Sequence, residues 1–78
     1  MNLVVLAVLL VKPQFELGPQ ALSRGGIVKD QAAREAALSD IVRWIGGQGW
    51  TVLGTMQSPI AGGNGNIEYL LAARKIAV

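Results

Sequence analysis

Leu3-Val4-Val5-Leu6-Ala7-Val8-Leu9-Leu10-Val11 is an unbroken apolar run that ends at Lys12-Pro13. It shows no alternation of polar and apolar residues. A run of that kind and length is expected to be a strand covered on both faces, as in the middle of a parallel sheet. It is about half the ~20 residues that a membrane-spanning helix requires. It also lacks the basic leader and small-residue cleavage site of a secretory signal, so a targeting role is set aside. Pro13 ends the strand and holds Lys12 in an extended conformation.

Beyond that strand the chain breaks and then regains periodicity. Gln14 to Lys29 is expected to be a long loop, with Gly18-Pro19 and Gly25-Gly26 as breakers. Loops of that length in a compact domain are usually functional or mobile. Asp30 is a suitable N-cap for a helix starting at Gln31. Ala37, Leu38, Ile41, Val42 and Ile45 fall on one face, and Arg34, Glu35, Asp40 and Arg43 fall largely on the other. Gly46-Gly47 is the expected stop. Trp50 to Thr55 reads as a second strand, and the turn Pro59 to Gly65 leads to a third at Ile67 to Ala73.

The first two strands, joined through a helix, are expected to run parallel by a right-handed crossover. The short glycine turn brings the third back antiparallel. The carboxyl ends of the parallel strands and the start of the antiparallel one share a rim, where α/β enzymes keep their chemistry. Lys12 ends the first strand and Glu68 opens the third. If the third strand inserts beside the first, the ammonium and the carboxylate come within ion-pairing reach.

Composition narrows the function. With 78 residues the chain makes one small domain at most, and 51% hydrophobic against 15% charged residues excludes a disordered chain. So apolar a composition in so short a chain implies a surface that pairs with something, or membership of a larger domain; the second is favoured. The net charge of +2 does not by itself argue for nucleic acid binding, which would need a clustered basic face. Away from Lys12, the basic residues Arg24, Lys29, Arg74 and Lys75 are the candidates for phosphate contacts. Cysteine and histidine are both absent from the sequence. Disulfides, thiol nucleophiles, histidine-dependent triads and ordinary zinc sites are thereby excluded. Lysine and carboxylate must carry any chemistry.

Four segments then match one family in order and at about its spacing. They are Val11-Lys12-Pro13-Gln14-Phe15-Glu16, Gly25-Gly26-Ile27-Val28-Lys29-Asp30, Gly49-Trp50-Thr51-Val52-Leu53-Gly54, and Ser58-Pro59-Ile60 with Gly65-Asn66-Ile67-Glu68-Tyr69-Leu70-Leu71. Together they resemble the C-terminal part of the hemolysin-A-like (TlyA) branch of the FtsJ-type RNA 2′-O-methyltransferases. The resemblance implies the C-terminal portion, strand-loop-helix-strand-strand, of a Rossmann-like α/β domain with a mixed sheet and an antiparallel last strand. It also implies S-adenosylmethionine as methyl donor, ribosomal RNA as substrate, a cytoplasmic location and a catalytic Lys-Asp-Lys-Glu set. The second lysine of that set falls on Lys12 and its glutamate on Glu68. The first lysine, the aspartate, the cofactor loop and an S4-type RNA-binding domain have no counterpart in residues 1–78. The expectation is therefore a segment of a methyltransferase, inactive alone and holding no cofactor or metal by itself.

Other residues have competing readings. Phe15 could stack on a base or ribose, but a core anchor for the loop is the favoured reading. Arg24 and Lys29 could touch phosphate or simply be solvated. Asn66 could bond RNA or cap its turn. Gly62, Gly63 and Gly65 suit a tight turn better than a phosphate cradle, since no helix begins there. Trp44 and Trp50 are expected to pack. Against the enzyme reading stands an interaction module that self-associates through an open strand edge. A membrane-active protein ranks last, because the helix lacks the basic polar face of an interfacial binder.

Overall fold

The computed structural model describes residues 3–77. Strand β1 (Leu3–Val11) is followed by a single helical turn, α1 (Pro13–Glu16), and a 3-10 turn at Pro19–Ala21. The long helix α2 (Gln31–Gly47) leads to β2 (Thr51–Gln57), and a second 3-10 turn at Gly63–Gly65 precedes β3 (Tyr69–Ala77). The sheet order is β1-β3-β2, and β3 is antiparallel to both neighbours.

The third strand therefore does insert beside the first. β1 and β2 point the same way without touching, so every strand pairing among the described residues is antiparallel. The expected mixed sheet is not found within this chain. The β1–β3 ladder runs without a break from Leu3↔Ala77 to Val11↔Tyr69. The β2–β3 ladder slips once, between Val52 and Gly54. That is a bulge, which strengthens twist locally.

Helix α2 starts as its sequence indicates. The Asp30 carboxylate accepts from the backbone N–H of Ala32 at 2.9 Å and of Ala33 at 3.3 Å. These bonds satisfy two of the donors a helix start leaves open. The helix ends at Gly47, at the expected glycine pair. Gly46 and Gly47 stay helical, and Gly49 takes the left-handed conformation with φ +90°. Arg34 departs from the polar face: it is buried, and its Nη1 donates to the Val28 carbonyl at 3.2 Å. It thereby ties the start of the helix to the chain leading into it.

One face of the sheet packs on α2. Val11, Tyr69, Leu71 and Ala73 pack with Ile45, flanked by Leu38, Ile41, Val42, Trp50, Val52 and Ile67. Leu71 is completely buried on the central strand. The opposite face, including Val8, Leu10, Met56 and Ile76, is exposed. β1 is not the doubly covered strand its composition suggests, since among its residues only Val11 is buried. It lies at the sheet edge, pairs with β3 alone, and contributes Val11 to the cluster against α2. Trp44, expected to pack, is likewise exposed, whereas Trp50 is half-buried beneath the Lys75 ammonium, 5.7 Å from the ring centre.

The segment expected to be a plain loop is more ordered than that. Besides α1 and the 3-10 turn, Ser23 pairs with Ile27 across Gly25 and Gly26, whose φ values are +86° and +77°. Two consecutive positive φ angles are cheap only for glycine. Because Leu71 anchors the sheet to α2, Leu71→Ala is expected to cost about 2–5 kcal/mol. Urea denaturation of the two chains measures it, and a loss below about 1 kcal/mol would show that the site collapses without a cavity.

Candidate functional site

The ladder register places the site. Val11↔Tyr69 is the last pair of the β1–β3 ladder, so Lys12, one residue on, and Glu68, one residue before, lie at the same end. Lys12 occupies the N-cap position of α1 in extended backbone, and its carbonyl accepts from Phe15 N–H at 3.0 Å. Glu68 sits where the 58–68 loop closes, with Ser58 N–H donating to its carbonyl at 2.8 Å.

The two side chains meet. Lys12 Nζ is 3.7 Å from Glu68 Oε2, with 40% of the lysine side chain exposed and 4% of the glutamate. The same oxygen accepts a shorter bond, 2.8 Å, from Gln14 Nε2. Glu68 is thus a buried carboxylate with one neutral donor and one cation on a single oxygen. Burying a carboxylate without partners is prohibitive, so these contacts are a condition of its position. The half-exposed ammonium keeps access to the rim and so can act on something outside the protein.

A cleft of about 430 Å³ opens beside the pair, walled by Lys12, Gln14, Phe15, Gly25, Gly26 and Asn66 among others. Phe15 is not the core anchor expected of it. Its ring is 77% exposed, with Lys12 Nζ 5.8 Å from the ring centre. An exposed aromatic beside a cation offers a stacking platform. Arg24 and Lys29 are both exposed, at the two ends of the Ser23–Ile27 turn and its exit.

Asn66 is buried, and its amide is fully occupied. Its Oδ1 accepts from Val28 N–H at 3.0 Å, and its Nδ2 donates to the carbonyls of Gly26 at 3.0 Å and Gly63 at 3.3 Å. Of its two readings, these contacts support the structural one: it joins the glycine turn to the loop that precedes α2. Lys75 lies at the far end of the ladder, opposite Val5, and its Nζ donates to the Gln48 carbonyl at 3.2 Å.

Two residues of the site escaped sequence reasoning. Gln14 was visible only as part of a matched segment, and nothing local tells that its amide reaches residue 68. Gly62 has an ordinary φ of −78°, but a Cβ built on it would overlap the Glu68 carboxylate. Here glycine is required by space, not by backbone conformation. Among the described residues there is no group of three or more His, Cys, Asp or Glu placed to hold a metal ion. None of the described helices is long and apolar enough to cross a membrane.

A strand-terminal lysine paired with a buried glutamate thus stands at one end of a sheet backed by one long helix. The family model described as FtsJ-like methyltransferase matches residues 3–75. The chain belongs to that family. It is 40% identical over 65 residues to the Mycobacterium tuberculosis 16S/23S rRNA (cytidine-2′-O)-methyltransferase TlyA, covering 83% of this chain and 24% of that protein. It is 43% identical over 63 residues to hemolysin A of Brachyspira hyodysenteriae, covering 81% of this chain and 26% of that one. A solved structure from Streptococcus thermophilus carrying the name hemolysin superposes with a TM-score of 0.83 at 40% identity, over 90% of this chain and 25% of that one. The chain therefore spans about a quarter of the length of these relatives.

The seat of Glu68 supplies a test. Gly62→Ala is expected to cost about 1–3 kcal/mol through overpacking against the carboxylate. Adding Glu68→Ala should recover most of that penalty, because the two positions are in contact. Equal penalties for Gly62→Ala in the presence and absence of Glu68, measured by urea denaturation, would show that they are not.

Proposed function

We propose that residues 1–78 form the C-terminal segment of the catalytic domain of a ribosomal RNA ribose 2′-O-methyltransferase, contributing Lys12 and Glu68 to its active site and inactive alone. The observation that carries this reading is the buried Glu68 carboxylate holding a half-exposed Lys12 ammonium at the carboxyl end of β1. Membership of the FtsJ-like family and likeness to TlyA supply the reaction class.

A ribose 2′-hydroxyl is a very weak acid, and its oxygen becomes a competent nucleophile only as its proton is withdrawn. An amine at the rim can take that proton when neutral, or hold the developing oxyanion when charged. Lys12 has this role here. Glu68 touches Lys12, not the ribose, and aims it. Phe15 provides a face on which a base can stack, and Arg24 and Lys29 are placed to meet phosphate from the exposed loop. Asn66 contributes by holding the cleft wall in shape. The cellular setting that fits is the cytoplasm, where ribosomal RNA is met.

S-adenosylmethionine, the methyl donor of the family, would bring its methyl to the same oxygen that Lys12 attends. Its sulfonium is a cation and would need a carboxylate beside it to offset the nearby Lys12 ammonium. The carboxylate that could offset a sulfonium is committed to Lys12 and Gln14. Residues 3–77 are therefore assigned the nucleophile side of the reaction only.

A second reading, a module that self-associates, is favoured by the uncharged outer edge and largely bare faces of β1. Unpaired edges of this kind invite strand pairing. Light scattering decides on that reading, since a monomer at every concentration would remove it.

Methyl transfer is tested in a chimera with residues 3–77 in place of the matching segment of TlyA. Lys12→Ala in that chimera is expected to lower the turnover of ribosomal RNA methylation by about 100-fold or more. Near-normal turnover would exclude Lys12 from the chemistry.

A further inference from the structure

The Lys12–Glu68 contact is long for a hydrogen bond and half exposed, so it cannot by itself fix the carboxylate. The short bond on the same oxygen comes from Gln14. We propose that Gln14 is a positioning residue of the lysine–glutamate pair: its amide sets the orientation of the Glu68 carboxylate, and through it the place of the Lys12 ammonium. The inference rests on the reading of that pair as functional and extends it to a third residue.

The local chain explains how Gln14 arrives there. Pro13 is fully buried and starts α1, with Lys12 as N-cap on one side and Gln14 in the first turn on the other. Lys12-Pro13-Gln14 thereby delivers a cation and a neutral donor to one carboxylate oxygen from adjacent points of the backbone. Gly62 keeps the space the carboxylate occupies. The amide can face only one way, since turning it over would set Oε1 against the carboxylate.

That orientation leaves Gln14 Oε1 buried without a hydrogen-bond partner among the described residues. A buried acceptor left unpaired is destabilising. Packing alone would favour an apolar side chain of the same size. Glutamine at this position is therefore explained by what its Nε2 does for Glu68.

The test uses the full 78-residue chain, labelled with ¹⁵N and ¹³C for solution NMR. The Gln14 side-chain amide hydrogens are expected to exchange with solvent at least tenfold slower than those of the exposed Gln57. Glu68→Ala should abolish the difference. In Gln14→Met, which removes the donor at similar volume, the Glu68 side-chain couplings should change from one rotamer to an average, and the cross-peak between Lys12 Hε and Glu68 Hγ should disappear. Backbone signals of α2 should stay in place, which a merely structural role for Gln14 would not allow. Exchange of Gln14 at the Gln57 rate overturns the proposal, and so does a Glu68 rotamer indifferent to Gln14→Met. If Gln14→Met fails to fold, the exchange rates of the original chain and of Glu68→Ala decide alone. A slow Gln14 amide with an inactive chimera would refute the methyltransferase reading and leave the positioning role standing. A fast amide with an active chimera would do the reverse.

Discussion

The pairing register of β1 with β3 is the constraint on which the remaining features depend. Side chains alternate across a strand, so a slip of one residue would send every side chain of β1 to the other face. With Val11 opposite Tyr69, the apolar residues that should meet α2 do so, and the two residues just past the ladder are a lysine and a glutamate. Core and site are fixed by the same set of backbone hydrogen bonds. The glycine turn, the Asn66 cap and the Gly62 vacancy then shape the return loop so that the carboxylate arrives buried and already occupied.

The division of labour within the site follows from exposure. Glu68 is inside and holds its partners, whereas Lys12 is half outside and can reach a ligand. Phe15, Arg24 and Lys29 are exposed on the segment that follows β1. The chain spans about a quarter of the length of its relatives, and the sheet face turned away from α2 is exposed.

Much of this was legible in the sequence because local rules decided it. The Asp30 cap, the period of α2, the strand beginning near Thr51 and the return of β3 beside β1 all follow from propensity, capping and turn chemistry. Lys12 and Glu68 could be brought together on topology alone. What escaped depends on long-range contacts. Arg34 lies on the polar side of its helix by periodicity, yet the Val28 carbonyl draws it inward. Gly46-Gly47 does end the helix, but the left-handed turn beyond it falls on Gly49. Phe15 is apolar and still faces outward, since α1 is too short to turn it under the sheet. The run Leu3 to Val11 carries the composition of a strand covered on both faces, and this chain covers neither along most of its length.

The central claim is most directly tested by the interstrand Hα–Hα cross-peaks of the 78-residue chain in solution. Such peaks arise between directly opposed residues at the non-hydrogen-bonded positions of an antiparallel ladder, where Cα atoms are about 4.5 Å apart. Between β1 and β3, the register described here requires them only among the pairs from Leu3↔Ala77 to Val11↔Tyr69. A ladder displaced by one residue, with Leu10 opposite Tyr69, would turn Lys12 to the other face, away from Glu68, and contradict the site as described.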